Sequence, residues 1–425
     1  MKVMIVGGGA SGTLVAINLA RQSTEKISIV IAEPLELIGR GIAYGAVDPN
    51  HLLNVPAGKM SAIVETPDHF ALWAGIKVHE FAPRKVYGEY LAETLAASLL
   101  SNSSSSVTHL KDFVTSVTLN DSGVFNVKFK RSQENSFDAV ILATGYGRSV
   151  SIPSLSSIEG DLRIVSDPWR ESYERFVGTL VCLGTGLTFL DHALAHIKSD
   201  DRNRVVGISR TGLLPQAHLD KAGPMVDLPN SARSSPASLK EFIQSSDDWR
   251  SALDSVRKEL PLIWRSWGFE NQKDFWTNHL RWWNVHRHRS SSLVNKELQS
   301  AIRDGRITIL QDKVESVNSG ESGIELKLAS GKRLSGHLIV NCLGYLGNSG
   351  SVLVQSLILN NLAAIDEHEI GLKTNFPQHE LVNIQGVPIK GLYALGPLLL
   401  GERFETTAIP EIRVQAKEIA TAILN

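Results

Sequence analysis

The chain has almost no cysteine. Among 425 residues only Cys182 and Cys342 occur, far apart and each inside an apolar, strand-like run. No Cys-x-x-Cys is present, which excludes a redox dithiol. The two thiols are expected to be buried core residues. An excess of either charge is also lacking. The net charge is -1, and no basic arm or nucleic-acid module is visible, so nucleic acid and anionic membrane are not expected partners. No apolar run is long enough to span a bilayer. The opening apolar run, Lys2-Val3-Met4-Ile5-Val6, is too short for a signal peptide, and a cytoplasmic protein is expected. Metal-ligand spacing is missing as well: His286 and His288 lie two apart with no carboxylate or cysteine set beside them.

Apolar residues make up 43% and charged residues 20%, which excludes disorder as the main state. The length calls for about two domains. The opening reads as strand Val3–Val6, turn Gly7-Gly8-Gly9-Ala10-Ser11-Gly12, helix Thr13–Gln22, and strand Ile27–Ala32. Apolar Leu14, Ile17, Leu19 and Ala20 give the helix its buried face. Gly7-x-Gly9-x-x-Gly12 has the spacing of a dinucleotide turn. The first glycine permits a tight turn, the second a close approach to pyrophosphate, the third close packing of helix on strand. The N-terminus of the helix offers free N–H groups and a positive dipole end to phosphate, and Ala10 and Ser11 of the turn are expected to border it. Glu33 stands 21 residues after Gly12, where a carboxylate accepts the ribose hydroxyls of an adenosine.

A second such unit begins at Thr179–Leu183, with Gly184-Thr185-Gly186, helix Phe189–Ile197 and strand Arg204–Ser209. Phe189 occupies the third glycine position, so helix and strand must pack there by other means. No acid closes the second strand. Arg210 is either the partner of a 2′-phosphate, favouring NADPH over NADH, or a solvated strand-end arginine.

Ala143-Thr144-Gly145 and Leu392-Tyr393-Ala394-Leu395-Gly396 each end a β run in glycine, which lets backbone approach a flat cofactor. Their positions at opposite ends of the chain point to one domain built from both termini. Residues 220–300 hold six of the eight tryptophans and read as a helical insertion. Within it, Trp282 to Arg289 is either a pocket wall for an anion or an amphipathic helix with a solvated basic face. Tyr44, His51, Arg84, Tyr87 and His218 read individually as structural residues. The expected fold is α/β, with two Rossmann-like dinucleotide-binding domains. Residues 1–150 and 336–425 form the first, and residues 151–335, with the insertion, form the second, set into it.

The chain resembles bacterial FAD/NAD(P)-binding flavoproteins with two dinucleotide-binding domains, near the N-hydroxylating flavin monooxygenases such as aspartate N-monooxygenase. The resemblance runs over nearly the whole length. It rests on the first glycine turn, Gly39-Arg40-Gly41-Ile42-Ala43-Tyr44-Gly45, His51 to Ser61, Pro83 to Gly88, Ala143 to Tyr146, Gly184 to Thr188, Ser209 to Pro215 and Pro410-Glu411-Ile412-Arg413. It implies FAD at the first turn and NADPH at the second, with Arg40 and the stretch from Asn54 to Met60 lining the flavin. Gly396 would lie near the ribityl chain, although Pro397 stands where related reductases carry aspartate. The implied activity is oxygenation of a small molecule by O₂ through a flavin C4a-hydroperoxide, such as N-hydroxylation of an amine or amino acid. A reductase passing electrons to a quinone or protein carrier, and a flavin-binding protein without turnover, are the alternatives. Ile158 and Ile164 stand where Baeyer–Villiger oxygenases carry Phe and His, which argues against that class. The sequence names no general base and no oligomeric state.

Overall fold

A computed structural model describes residues 1–45, 48, 51–158, 160–171, 173–219, 223–320, 323–345 and 347–425. Its first sheet has seven strands in the order Thr374–Asn375, Glu380–Val382, Pro388–Ala394, Ala139–Leu142, Lys2–Val6, Ile27–Ala32, Ser105–Leu110. The last five are mutually parallel. Both ends of the chain therefore build one sheet. The second sheet, Ile307–Gln311, Arg204–Ser209, Thr179–Leu183, Leu338–Asn341, Ile164–Val165, is parallel throughout. All its strands fall between those of the first, so one Rossmann-like unit is inserted in the other.

A parallel sheet covered on both faces needs strands that are apolar on both sides, and the opening strand meets that need. Val3 and Ile5 face a core with Leu14, Ile17 and Ile419, while Met4 and Val6 face another with Phe125, Leu142 and Leu353. The second unit repeats the arrangement. Leu180 and Cys182 enter one core with Phe189, Val181 and Leu183 another with Ile324 and Leu326. Cys182 and Cys342 are free and buried.

Three expectations are corrected. Strand Leu338–Asn341 pairs with Thr179–Leu183, so the second unit runs past residue 335. Its end, Cys342, lies against Gly184 just as Ala143 lies against Gly7. Helix Ser292–Arg303 puts Leu298 and Ala301 into the core of the second unit, so the insertion stops short of residue 300; its residues 220–222 lie outside the described ones. The basic stretch after Trp282 is not a solvated face. Arg287 and Arg289 are each 4% exposed. Burial would strip both cations of water, and ion pairs replace that water: Arg287 clasps Glu405 at 2.8 and 2.9 Å and Arg289 pairs with Asp254.

The insertion is built of helices Pro236–Ser245, Trp249–Ser266, Phe269–Asp274 and Leu280–Arg287. Its tryptophans form a core with Phe404 of the first unit. The Trp264 ring stacks on Phe404 at 5.1 Å, and its indole N–H donates to the Gly401 carbonyl at 2.8 Å. The insertion is thereby fastened to the C-terminal part of the chain. No helix among the described residues is long and apolar enough to cross a membrane.

The missing third glycine of the second unit is compensated on the neighbouring strand. A Cβ on Gly207 would stand 2.8 Å from the Phe189 ring, so the ring lies where that side chain would be. Phe189 is fully buried. Phe189→Ala is expected to cost about 3–5 kcal/mol, read as a lower midpoint in chemical denaturation; a loss below about 1 kcal/mol would contradict the packing role.

Candidate functional site

The two glycine turns repeat each other. Gly7 and Gly184 have φ of +101° and +105°, a backbone that side chains rarely allow. A Cβ on Gly7 would collide with the Ala143 carbonyl, and one on Gly184 would come within 2.5 Å of the Cys342 carbonyl. Gly12 is also required by the chain, because a Cβ there would strike the Gly7 carbonyl. Gly9 and Gly186 differ. Their φ values, -69° and -84°, suit any residue. The nearest atom to a Cβ on Gly9 is the Gly41 Cα at 3.4 Å, and nothing lies within 4 Å of one on Gly186. The fold does not need glycine at either position. What the two glycines keep open is space in front of a helix start.

Both helices begin with no side-chain cap. Among the described residues, the N–H groups of Ala10, Ser11 and Gly12 have no protein acceptor, so the positive end of the dipole stays open to an anion. Glu33 is 8% exposed. Its carboxylate accepts the Gly8 N–H at 2.9 Å and the Leu35 N–H at 3.0 Å, which fixes it at the strand end beside the turn. The Gly39–Gly41 loop folds over the turn through Gly39 N–H to the Gly8 carbonyl, 2.8 Å. This open cradle, with a fixed carboxylate at its edge, fits an adenosine diphosphate group.

The other expected residues surround this centre unevenly. Arg40 stands at the start of helix Gly41–Tyr44, 3.9 Å from Glu89. Met60 is 1% exposed in the core of the first unit. Asn54 gives its carbonyl to the His218 ring at 3.0 Å. Thr144 accepts from Asn348 at 2.9 Å, and Gly145 has φ +67° with open space beside it. Gly396 is drawn against Ser11, its N–H donating to Gln415 at 3.0 Å and its carbonyl accepting from Thr406 at 3.2 Å.

At the second turn Ser209 occupies the place Glu33 has in the first. Both follow the strand residue whose carbonyl accepts from the turn's first glycine, Ala32 and Ile208. Thr185 donates its hydroxyl to the Leu213 carbonyl at 2.7 Å. Arg210 is exposed. Burial, and then the charge of Arg210, lower the pKa of Arg281. Arg281 belongs to the insertion, so the insertion brings a second cation within electrostatic reach of Arg210.

Four side chains that looked isolated in sequence come together. Tyr44 meets Tyr87 edge to face at 4.7 Å. Arg84 pairs with Asp191 at 3.0 Å across the seam between the two units, and its guanidinium lies 5.2 Å from the Trp169 ring. His51 packs on Trp169 and His192 at 5.4 and 5.5 Å, and His192 bonds the Tyr173 hydroxyl at 2.8 Å. Asp191 and His192 lie on the helix that starts at Gly186. Sequence reading missed them, since both read as ordinary helix residues.

Beside this seam lies a cavity of about 1480 Å³. Its wall includes Pro56, Gly58 and Lys59 of the stretch expected to line a flavin, Arg250 and Asp254 of the insertion, and Arg413 of the last helix, Ile409–Leu424. Glu405 lies at the same wall. Burial alone would raise its pKa, but Arg287 and Arg257 outweigh burial and hold it below the usual carboxylate range.

Residues 4–147 match the FAD-NAD(P)-binding family model. No curated protein matches the chain in sequence. Solved structures match its whole length. Ornithine hydroxylase from Pseudomonas aeruginosa aligns with TM-score 0.63 at 15% identity over 100% of this chain and 98% of its own. L-lysine 6-monooxygenase from Pseudomonas syringae gives 0.64 at 14%, over 99% and 98%. Bacillithiol disulfide reductase from Staphylococcus aureus gives 0.62 at 14%, over 100% and 98%. At these identities the likeness shows the fold, an architecture of two dinucleotide-binding domains.

The seam carries a pH dependence. Burial lowers the pKa of His51, His192 and His218 below 6.5, His192 to about 3 and His218 to about 4. These rings stay neutral in the folded chain and take up protons on unfolding below about pH 6.5. Stability is therefore full above that pH and falls toward the folded values, by up to about 1.4 kcal/mol per pH unit for each ring. His192→Gln is expected to flatten the fall between pH 6.5 and 4.5, measured by urea unfolding. An unchanged slope would contradict the assignment.

Proposed function

We propose that the chain is an FAD-dependent, NADPH-using monooxygenase that oxygenates a small molecule with O₂, in the manner of N-hydroxylation of an amine or amino acid. The observation that carries the reading is the pair of uncapped helix starts, each kept open by a glycine the fold does not need. Around them stand the matched FAD-NAD(P)-binding segment and full-length structural neighbours that hydroxylate ornithine and lysine.

In this reading Gly9, Ala10, Ser11 and Gly12 hold the diphosphate of FAD through backbone N–H groups, and Glu33 holds its ribose. Arg40, Asn54, Met60, Thr144, Gly145 and Gly396 border the rest of the cofactor. Gly184 and Gly186 do the same for NADPH, with Arg210 and Arg281 on the 2′-phosphate. FAD, when bound, supplies a carrier that takes hydride from NADPH and activates O₂. The protein's task is to align the two cofactors and keep water from the reaction. The tryptophan-rich insertion, fastened to Phe404 and Glu405, brings Arg250, Asp254, Arg257 and Pro261 to the cavity wall. The neutral histidines and the Arg84–Asp191 pair hold the two units in register. Two buried, unbridged cysteines suit a reducing compartment, the cytoplasm.

The reductase reading keeps one supporting observation, the likeness to the bacillithiol disulfide reductase. The two readings separate in one experiment: the FAD-loaded protein is given NADPH, isotopically heavy O₂ and a panel containing ornithine, lysine and cadaverine. A monooxygenase oxidises NADPH faster with its substrate and puts one heavy oxygen atom into it. NADPH oxidation that follows an added quinone without O₂, with no oxygenated product, would overturn the proposal. On the second site, Arg210→Ala with Arg281→Ala is expected to lower the preference for NADPH over NADH by about tenfold or more, read as the ratio of kcat/KM values; an unchanged ratio would remove both arginines from the 2′-phosphate.

A further inference from the structure

The cavity has more positive charge than its own acids satisfy. Seven Lys and Arg residues line it against five Asp and Glu, and the bonds those acids make among the described residues go to groups other than Arg403. Asp254 pairs with Arg289 and Lys59, Glu405 with Arg287 and Arg257, Glu411 with Arg257, Glu418 with His379, and Glu80 accepts the Lys77 N–H. Arg403 is left over. It is 6% exposed, yet its guanidinium makes no hydrogen bond among the described residues, and its Nε and Nη2 are buried without a partner. The face of Phe376 supports it at 4.8 Å, and Arg265 approaches the same ring at 4.6 Å. Glu418 and Glu402 are near enough to act on its charge, but neither bonds it. Arg413 on the same wall has one hydrogen bond, to the Ser61 carbonyl at 3.1 Å, and a buried Nε without a partner.

A buried guanidinium that no acceptor bonds is unfavourable even with carboxylates in the neighbourhood. The chain nevertheless holds Arg403 in place. The next residue, Phe404, has φ +55°, uncommon for a side chain of its size. That conformation sends Phe404 into the tryptophan core and leaves Arg403 at the cavity wall. Burial lowers the Arg403 pKa to about 10, which still leaves it charged at neutral pH.

We propose that Arg403, with Arg413 lining the same cavity, is a carboxylate-binding subsite, so that the small molecule taken there is an amino acid or other carboxylate, not a simple amine. This rests on the monooxygenase reading for the meaning of the cavity but not for the binding itself. A guanidinium supported on an aromatic face and short of acceptors is matched by a carboxylate. The carboxylate end would be anchored near the last helix, leaving the rest of the molecule to extend along the loop Pro56–Lys59.

The test is calorimetric binding to the FAD-loaded protein without NADPH, using pairs that differ only in the carboxylate: L-lysine with cadaverine, and L-ornithine with putrescine. Succinate serves as a competitor. The amino acids are expected to bind about tenfold or more tightly than their decarboxylated counterparts, and succinate to displace them. Arg403→Gln should remove that difference while FAD content and melting temperature stay near the parent values, and Arg403→Lys should restore part of it. Equal binding within each pair, no binding of succinate or either amino acid, or an undiminished difference in Arg403→Gln would each overturn the subsite. If Arg403→Gln does not fold, the pairs and the competitor decide on the unaltered protein. Carboxylate binding without NADPH-dependent oxygenation would instead count against the monooxygenase reading and leave the subsite standing.

Discussion

Three backbone N–H groups at the start of the first helix are the constraint around which this chain is arranged. A helix start buried in a protein normally finds a capping side chain. Here the cap position is Gly9, which has none to offer. The chain leaves the donors without a protein acceptor and fixes Glu33 at their edge. It also folds a second glycine loop over them. The sheet behind is what makes such a strand end rigid, since Val3 to Val6 are buried on both faces. The second unit repeats the device with Gly186 and replaces the carboxylate by Ser209. The two turns are thus one local solution used twice, differing at the end of the following strand, Glu33 against Ser209, and at the third glycine position, Gly12 against Phe189.

Much of this was legible in the sequence because it depends on local rules. Strand, glycine turn and helix follow from periodicity and spacing, and the identity of each first glycine follows from a backbone conformation that only glycine adopts freely. The inserted topology was legible from paired strand ends at opposite ends of the chain. Phe189 at the third position was readable as an irregularity, but not its remedy. Gly207 supplies the missing space from a different strand, and only a register of strand on helix reveals that.

What the sequence did not reveal lies between elements. Arg84 and Asp191 are 107 residues apart, and nothing near either one announces a pair. Asp191 and His192 look like any helical polar residues until His51 and Trp169 arrive from other segments. Arg281 gains meaning only beside Arg210. The basic run after Trp282 misled for the same reason. Its arginines are not solvated: Arg287 holds Glu405, and Arg289 lines the cavity while paired with Asp254, whereas Arg403, which makes no hydrogen bond among the described residues, lies in a segment with no motif. Domain limits slipped likewise, because Leu338–Asn341 resembles a return to the first sheet and pairs instead with Thr179–Leu183.

The measurement closest to the central claim is the FAD content of the purified protein after loading, from the flavin absorbance relative to protein, for the parent chain and for Gly9→Ala. The fold tolerates a methyl group at position 9, where the backbone is ordinary and the nearest atom is at contact distance. A diphosphate seated on the helix start does not tolerate it. The account predicts about one FAD per parent chain, and a Gly9→Ala protein that melts like the parent but holds little or none. A parent that takes up no FAD, or a Gly9→Ala protein that binds it as well as the parent does, would contradict the account.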